Sequence, residues 1–344
     1  MTVRTLIVDD SRTMQAMIRR KLSASPEIEI VGTAASADEA RAQIKALDPD
    51  VVTLDVEMPG MNGLEFLDRL MRLRPTPVVM LSSLTSRGAE VSIAALEMGA
   101  FECFDKARLT LQPGITDGPS LAELIKAASA SRRARTAQST LVKSSAITGQ
   151  YRPRAGSLIA LGASTGGVEA LIALLMEFPA DCPPTVIVQH MPATFTPSFA
   201  ARLDRLCQPS VTEARTGAAL GTGKIYLAPG GDRHLEIAGT AARRHCRLIE
   251  GDRVSGHRPS VDRFFHSVAR TAGADATGAI LTGMGADGAE GLKAMRDVGC
   301  MTIGQDQATS VVYGMPAVAH RIGAVAEQLP LRRIASRLLT ACAA

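Results

Sequence analysis

The chain has 344 residues, of which 46% are hydrophobic and 21% are charged, so it is long enough for two domains rather than one ordinary core. Its formal net charge of +4 is small, and charge alone therefore indicates neither a nucleic-acid-binding nor a membrane-surface protein. No apolar run approaches the length of a membrane span, and the opening MTVRTLIVDD is typical of a strand rather than a signal peptide. Six cysteines without a CxxC pair predict free thiols in a reducing compartment, so we expect a cytoplasmic protein without disulfides or a zinc site.

Short β-branched segments alternate with amphipathic segments over residues 3–130. Five of the short segments predict strands, each followed by a helical stretch: RTLIVDD, EIEIVGTA, DVVTLDVEMPG, TPVVMLSS and FECFDKA. This alternation predicts a parallel, doubly wound sheet. We therefore assign residues 1–130 to a first α/β domain of the flavodoxin-like kind.

Polar side chains follow four of these predicted strands. The first strand ends in Asp9 and Asp10, and the third ends in Asp55. Ser82 ends the fourth strand, and Lys106 follows the fifth. Because the carboxyl ends of parallel strands meet at one edge, these groups should lie together, and clustered carboxylates call for a cation such as Mg²⁺. A carboxylate nucleophile, a divalent metal, a hydroxyl and a lysine predict a site that receives a phosphoryl group.

These residues make the first half resemble a response-regulator receiver domain over nearly its full length. The resemblance implies that Asp55 accepts the phosphoryl group and that Ser82 and Lys106 contact it. The family usually has a proline after this lysine, where this chain has Ala107, so the resemblance does not fix the local peptide geometry. The implied Mg²⁺ ligands are Asp9, Asp10, Asp55 and the backbone carbonyl of Glu57.

The alternating pattern stops between about Ser131 and Gly156. This stretch is rich in Ser, Ala and Thr and carries six basic residues and no acidic ones. A solvated basic tether is favoured over a nucleic-acid patch, because the stretch lacks a regular interleaving of aromatic side chains with its charges. We therefore assign residues 131–156 to a flexible linker, with an extended helix of the first domain as a possible start.

A second α/β alternation begins at Ser157. A hairpin-like segment from about Lys224 to Ile249 predicts some antiparallel pairing. We assign residues 157–344 to a second, Rossmann-like doubly wound domain. Its predicted strands lie in SLIALG, PTVIVQH, GKIYLAP, GAILTGMG and CMTIG.

The segment LIALGASTGGVEALIALLMEF places a glycine-rich turn between a strand and a helix. It does not fit the dinucleotide pattern G-x-G-x-x-G, because Ser164 stands where the middle glycine admits a pyrophosphate, and it lacks the G-K-[ST] of a P-loop. It fits G-x-S-x-G through Gly162, Ser164 and Gly166, a pattern that exposes a serine hydroxyl on a tight turn. The alternative is that Ser164 or Thr165 simply caps the following helix.

A serine hydroxyl needs a base to become a nucleophile. His190 ends the strand PTVIVQH, and Asp287 follows another strand in LTGMGADGAEG, so both are expected at the same sheet edge as Ser164. Each has a structural alternative: a strand-end histidine is often only hydrogen-bonded, and Asp287 with Glu290 resembles a helix capping box. The chain order Ser–His–Asp disfavours the α/β-hydrolase fold, which runs Ser–Asp–His.

The motifs GASTGG, QHMP, YLAPGG, HRPSVD and LTGMGADGA resemble the catalytic domain of the chemotaxis protein-glutamate methylesterases. The order of receiver, basic linker and catalytic domain is also that of this family. The resemblance implies Ser164 as nucleophile, His190 as general base and Asp287 as the orienting carboxylate. It further implies that backbone amides near Met284 help to hold the oxyanion, and that the ester chemistry uses no cofactor.

The same resemblance implies hydrolysis of glutamate γ-methyl esters, and deamidation of glutamines, on methyl-accepting chemoreceptors. A chemotaxis histidine kinase would be the phosphodonor, and neither nucleic acid nor membrane insertion is implied. A nucleotide-binding regulatory module is disfavoured by the missing middle glycine. A DNA-binding response regulator is disfavoured because no basic helix-turn-helix pattern follows Gly156.

Within HRPSVD, Ser260 is expected to cap a helix, while His257 is given no catalytic role. Arg258 would either meet an acidic receptor surface or form a local salt bridge. His234 and the other remaining histidines lack metal-ligand spacing and are expected to be structural or exposed.

Overall fold

The computed structural model describes residues 2–83, 86–110, 118–135 and 151–344. The chain divides into two compact units, Met1–Ser139 and Thr140–Ala344. Most of the predicted basic linker, residues 136–150, lies outside the described residues.

A five-stranded parallel sheet forms the described centre of the first unit, in the order β2-β1-β3-β4-β5. The inner strands β3 (VVTLD) and β4 (VVMLS) are buried at every position, which is why most of their residues are apolar. The strands are β1 (Val3–Val8), β2 (Ile28–Ala34), β3 (Val51–Asp55), β4 (Val78–Ser82) and β5 (Glu102–Asp105). The helices are α1 (Arg12–Leu22), α2 (Ala37–Leu47), α3 (Gly63–Leu73), α4 (Ser86–Glu97) and α5 (Leu121–Arg135).

The order of this sheet reverses between β1 and β3, which are neighbours although β2 separates them in the chain. Their register pairs Val8 with Leu54, so the residues that follow β1 lie beside the end of β3. Such a switch point is where open α/β sheets bind ligands. The strand order therefore brings Asp9 and Asp10 next to Asp55, as the sequence predicted.

Both ends of the predicted linker carry regular structure. Helix α5 runs past residue 130 to Arg135. At the other end, Tyr151 is buried and its hydroxyl donates to the Leu339 carbonyl at 3.0 Å, while the Arg154 amide donates to the Cys342 carbonyl at 2.7 Å. Tyr151 and Arg154, at the end of the predicted linker, thus contact the last helix of the second unit and the residues after it.

A seven-stranded parallel sheet forms the second unit, in the order β14-β13-β12-β6-β7-β9-β8. Strands β10 and β11 form a separate antiparallel hairpin. The strands are β6 (Leu158–Ala163), β7 (Thr185–Gln189), β8 (Ser210–Glu213), β9 (Lys224–Leu227), β10 (Arg233–Ala238), β11 (His245–Glu250), β12 (Ala276–Ile280), β13 (Met301–Gln305) and β14 (Glu327–Leu329). The helices are α6 (Gly167–Leu175), α7 (Thr196–Leu206), α8 (Val261–Ala272), α9 (Ala289–Asp297), α10 (Met315–Arg321) and α11 (Leu331–Ala341).

These two units confirm the predicted fold class, with two differences in detail. The predicted hairpin began at Lys224, but residues Lys224–Leu227 form a parallel strand of the main sheet, so the antiparallel part is only β10 with β11. Strands β8 and β14 were not predicted, because they are short and only partly buried and thus carry a weak pattern. Among the described helices, none has both the length and the apolar character of a membrane span.

Close packing of β6 against α8 positions the edge of the second sheet. A Cβ placed on Gly162 would lie 2.3 Å from Val261 Cγ1, so only glycine allows this approach. Phe264 and Phe265 on α8 are completely buried in the core beneath the sheet. The first turn of α8 therefore lies beside the carboxyl end of β6, where the serine turn begins.

Candidate active site

Ser164 and His190 follow two neighbouring strands at the same point. Ala163 at the end of β6 pairs in register with Gln189 at the end of β7. The His190 amide donates to the Ala163 carbonyl at 3.1 Å, and the Gln189 side-chain amide donates to the Ser164 carbonyl at 2.9 Å. The sheet thus fixes the backbones of both residues at its carboxyl edge, as the sequence predicted.

The turn after β6 is built by two glycines. Gly166 has φ +78°, a left-handed conformation that favours glycine, and a Cβ there would lie 2.5 Å from Val311 Cβ. A Cβ on Gly167 would lie 2.0 Å from the Gln189 side-chain oxygen. Helix α6 begins without a side-chain cap, so the alternative of Ser164 or Thr165 as an N-cap is wrong. The Ser164 hydroxyl therefore makes no capping hydrogen bond to α6 and is available for other contacts.

His190 and Asp287 form a direct hydrogen bond, 2.8 Å from Nε2 to Oδ2. Asp287 is 1% exposed, and three further donors reach its carboxylate. They are the Ser260 hydroxyl at 2.7 Å, the Val261 amide at 2.7 Å and the Asp262 amide at 3.1 Å. Two of these belong to the first turn of α8, so Asp287 caps α8 and not its own helix α9, whose N-cap residue Gly288 has no side chain to cap it.

This environment fixes the protonation of the pair. Burial acts to raise the pKa of Asp287, but the hydrogen bonds from His190, Ser260 and the Val261 amide hold it below its usual value. An ionised carboxylate only accepts hydrogen bonds, so His190 Nε2 must be the donor, and in the neutral imidazole Nδ1 is then the unprotonated nitrogen. The imidazole therefore presents a basic atom on the side away from Asp287.

The contact between serine and imidazole is not made in this structure. Within the described part of the chain, His190 Nδ1 is buried without a hydrogen-bond partner, and the Ser164 hydroxyl likewise has none. Ser164 is 6% exposed. The sheet edge thus brings all three predicted residues to one place and forms the His–Asp hydrogen bond, while the Ser–His hydrogen bond is open.

Two backbone amides beside Ser164 are unused. Among the described residues, the amides of Thr165 and Met284 donate to no acceptor. Thr165 directly follows the serine at the start of α6, where the dipole of the helix is positive. Met284 follows Gly283, which packs so closely on the serine that an added Cβ would lie 2.8 Å from Ser164 Cβ. The sequence pointed to Met284 but missed Thr165, although the residue after the serine in G-x-S-x-G supplies such an amide.

The loop before α8 supports this edge. His257 stacks on His190 with ring centroids 3.7 Å apart and planes 4° from parallel. Burial and the neighbouring His190 lower the pKa of His257 to about 4, so it stays neutral at physiological pH. Arg258 donates to the carbonyls of Gly231 at 3.2 Å and Gly251 at 2.9 Å, so it braces its own surroundings and forms no salt bridge among the described residues. The sequence did not predict the stacking of His257.

Ser260 caps α8 as predicted, accepting the Arg263 amide at 3.3 Å while donating to Asp287. His234 is structural as expected: it is fully buried, and its Nδ1 accepts the Ser260 amide at 3.1 Å. Its Nε2 faces the Asp252 carbonyl at 2.9 Å. His234 therefore holds the residue that holds Asp287.

The first unit carries a second polar site. Ligand atoms of Asp9, Asp10 and Asp55 lie within 4.8 Å of one another. The Lys106 ammonium lies 2.9 Å from Asp9 Oδ2 and 2.7 Å from Asp55 Oδ1, and the Glu57 amide donates to Asp55 at 3.2 Å. These carboxylates fit a hard divalent cation, so the acidic cluster could bind Mg²⁺.

Charges in this cluster are strongly coupled. Burial raises the pKa of Asp55 against the opposing pull of Lys106. Although burial acts to lower it, contacts with Asp55 and Asp9 raise the pKa of Lys106, so the ammonium stays charged. Ser82 is buried at the end of β4 with its hydroxyl 3.0 Å from that of Ser92. The Ala107 amide donates to the Asp105 carboxylate at 2.9 Å, a bond that a proline could not make.

Comparison with known proteins matches each unit to a family. Residues 159–338 match the family model of CheB methylesterase, and residues 5–110 match that of the response regulator receiver domain. A protein-glutamate methylesterase/protein-glutamine glutaminase of Agrobacterium fabrum is 57% identical over 342 residues, which is 98% of this chain and 95% of the relative. One of Caulobacter vibrioides with the same name is 53% identical and covers 98% of this chain and 97% of the relative.

Among solved structures, the CheB methylesterase catalytic domain of Thermotoga maritima is 35% identical, with a TM-score of 0.52. The match covers 54% of this chain and 98% of that domain. The similarity thus extends to the fold of the second unit.

Proposed function

The chain belongs to the CheB methylesterase family, and on this premise we propose that Ser164, His190 and Asp287 carry out its hydrolysis of protein-glutamate methyl esters. It is a protein-glutamate methylesterase/protein-glutamine glutaminase with a receiver domain. One observation carries the residue roles. The Asp287 carboxylate accepts from His190 Nε2, which leaves Nδ1 as the nitrogen available to Ser164, and the strands before the two residues end in register.

The first half of the reaction forms an acyl-enzyme. The Ser164 hydroxyl attacks the γ-carbonyl carbon of a methylated glutamate while its proton passes to His190 Nδ1. In this proposal the open contact between the serine and the imidazole closes when substrate binds, since such hydrogen bonds are often long or poorly aligned before then. Asp287 keeps its hydrogen bond to Nε2 throughout and stabilises the imidazolium by its charge.

Negative charge develops on the carbonyl oxygen as the serine attacks. The unused amides of Thr165 and Met284 are the donors that we assign to this oxyanion. Each such donor contributes about 3 kcal/mol to lowering the barrier in comparable enzymes. The amides are held by backbone packing and not by flexible side chains, so they need no reorganisation during the reaction.

The second half releases the products. The imidazolium gives its proton to the departing methoxide, and methanol leaves. Water then attacks the acyl-enzyme, with His190 Nδ1 again taking the proton. This proton passes to the departing Ser164 oxygen, so that the serine hydroxyl is restored as the glutamate carboxylate is released. For a glutamine substrate the same steps release ammonia in place of methanol.

A His190→Gln variant tests the base. Its side-chain amide can still donate to Asp287 but cannot take a proton from Ser164. We expect methanol release from methylated chemoreceptor membranes to fall by at least about 100-fold, the contribution typical of a general base. His320→Ala changes an exposed histidine on α10 and serves as the control. Full turnover by His190→Gln would exclude this residue as the base.

For the first unit we propose that Asp55 accepts a phosphoryl group from a chemotaxis histidine kinase. Lys106 and Ser82 are the groups that contact the phosphoryl oxygens. The side chains of Asp9, Asp10 and Asp55 and the carbonyl of Glu57 would hold Mg²⁺, which neutralises phosphoryl charge when bound. In this structure the Lys106 ammonium pairs with the buried carboxylates of Asp9 and Asp55 and offsets part of their charge. An Asp55→Asn protein that still took label from a phosphodonor at the wild-type rate would refute this assignment.

Phosphorylation of Asp55 is proposed to control the esterase, because the same chain carries both sites. The substrates are methyl-accepting chemoreceptors, and the reaction serves adaptation in chemotaxis. The six cysteines are all free, which supports the proposal of a reducing, cytoplasmic setting. A phosphodonor should raise methanol release by the wild-type chain and leave that of Asp55→Asn unchanged. Equal stimulation of both proteins would contradict this control.

A further inference from the structure

Asp262 is a buried carboxyl group that the proposed reaction does not use. It lies in the first turn of α8 and is 7% exposed. Its Oδ1 accepts the Gly291 amide at 2.7 Å, and Gly291 lies in the first turn of α9. A carboxyl group on one helix thus holds the start of another.

At their N-termini, helices α8 and α9 are linked by reciprocal hydrogen bonds from backbone amides to carboxylates. Asp287, in the loop just before α9, accepts the Val261 and Asp262 amides of α8, while Asp262 accepts the Gly291 amide of α9. The first amides of a helix have no acceptor within it, and the positive end of the helix favours a carboxylate. Each helix start is therefore satisfied by an acid from the other helix or its loop.

The first turn of α9 packs directly on the backbone of α8, with no room for a side chain between them. A Cβ on Gly291 would lie 2.6 Å from the Asp262 carbonyl oxygen and 2.7 Å from Phe265 Cβ. Asp287 lies only four residues before Gly291, in the loop that enters α9 at Ala289. Movement of the first turn of α9 would therefore move Asp287 relative to His190.

We propose that Asp262 is a positioning residue for the esterase reaction: its carboxyl group holds the start of α9 against α8, so that Asp287 stays aligned with His190, and its charge acts on that pair. The proposal rests on the roles proposed above for Asp287 and His190. Asp262 itself touches neither the substrate nor the serine.

The charge of Asp262 changes near neutrality. Burial raises its pKa to about 6, and the neighbouring Asp287 adds to the rise, while the Gly291 amide opposes it. An ionised Asp262 places a second negative charge beside Asp287, which favours the imidazolium form of His190. The acidic limb of the rate–pH profile should therefore lie at higher pH when Asp262 is ionised than in a variant that lacks this charge. Besides Asp287, the charged or titratable residues on α8, α9 and the adjoining strands and loops include His190, His234, Glu236, His257, Arg263, His266, Arg270, Glu290, Lys293, Arg296 and Asp297.

Two substitutions separate position from charge. Asp262→Ala removes both the acceptor for the Gly291 amide and the charge, and we expect kcat for methanol release to fall about 10- to 100-fold at unchanged KM. Asp262→Asn keeps an acceptor oxygen, so it should restore most of kcat. Because it lacks the charge, its acidic limb should move to lower pH by about half a unit or more.

Glu327→Gln is the matched control, since Glu327 is a carboxylate of the same unit that pairs with Arg337 and not with this cluster. All variants are made in the full chain and compared by methanol release from pH 5 to 9 and by thermal unfolding. Wild-type kcat in Asp262→Ala, or an unshifted acidic limb in Asp262→Asn, would overturn the proposal. If Asp262→Ala does not fold, the limb of Asp262→Asn alone decides it.

The proposed function fails in a different way. Ser164→Ala in the same assay reports on that function independently of Asp262. Loss of turnover in Ser164→Ala with wild-type behaviour of both Asp262 variants would sink only the positioning role. Full turnover in Ser164→Ala would sink the function on which that role rests.

Discussion

Replacing Asp287 by asparagine should misplace the proton of His190. The carboxylate has two donors at each oxygen: Ser260 and the Asp262 amide at Oδ1, and His190 and the Val261 amide at Oδ2. An asparagine has only one acceptor oxygen, so its NH₂ group must face one of these two sets of donors.

Either orientation is costly. If the NH₂ group faces Ser260 and the Asp262 amide, that amide is left without an acceptor. If it faces His190 and the Val261 amide, the Val261 amide is left without one. A buried amide without a partner costs about 1–3 kcal/mol, and the loss of the charged acceptor raises the total to about 2–4 kcal/mol. In the second orientation His190 Nε2 must accept, so its proton moves to Nδ1 and the base is lost.

The expected fall in kcat is about 10³- to 10⁴-fold, the size that this change produces in a Ser–His–Asp site when the wrong tautomer is favoured. The assay is methanol release from methylated chemoreceptor membranes, with thermal unfolding of the same samples. Asp297→Asn, which removes the exposed partner of Lys293 on α9, is the control. An Asp287→Asn protein that keeps more than about a tenth of kcat with wild-type unfolding would refute the reasoning.

Three further predictions concern the turn, the first unit and the thiols. Gly166→Ala should lower the free energy of unfolding of the second unit by about 2–4 kcal/mol, because it adds a clash with Val311 to the strain of a positive φ. The control is Gly217→Ala, at φ +85° with open space around it, which should cost only about 1 kcal/mol in the same denaturation experiment. Lys106→Met should lower the melting temperature of the first unit in metal-free buffer, because three close carboxylates lose their cation, and added Mg²⁺ should recover part of the loss in calorimetry. Burial raises the pKa of Cys246 to about 12, so at pH 8 iodoacetamide should modify it only after denaturation, as peptide mass analysis would show.

The first unit could be predicted almost completely from its sequence. Its inner strands are buried on both faces, so β3 and β4 are short, mostly apolar and rich in β-branched residues, and they alternate with helical segments. The rule that ligands bind at strand carboxyl ends then placed Asp9, Asp55 and Lys106 together. In the second unit the rule succeeded equally for Ser164 and His190, because the ends of β6 and β7 are in register.

The rest depends on contacts that no local pattern encodes. The sequence left open that Asp287 caps its own helix, but it caps α8 through an amide 26 residues away in the chain, a contact set by packing between the two helices. The stacking of His257 on His190 likewise needs the loop before α8 to fold back over β7. Strand β14 pairs through only three residues at the edge of the sheet, too short to give a periodic signal.

The turnover of a Ser164→Ala protein tests whether Ser164 is the nucleophile of the esterase reaction. Receptor membranes carrying radiolabelled methyl esters would be incubated with wild-type and variant chains, and volatile methanol would be counted, with Ser210→Ala as the control for an exposed serine. If Ser164 is the nucleophile, Ser164→Ala releases no methanol above the enzyme-free rate and unfolds like the wild type. Methanol release at the wild-type rate would contradict it.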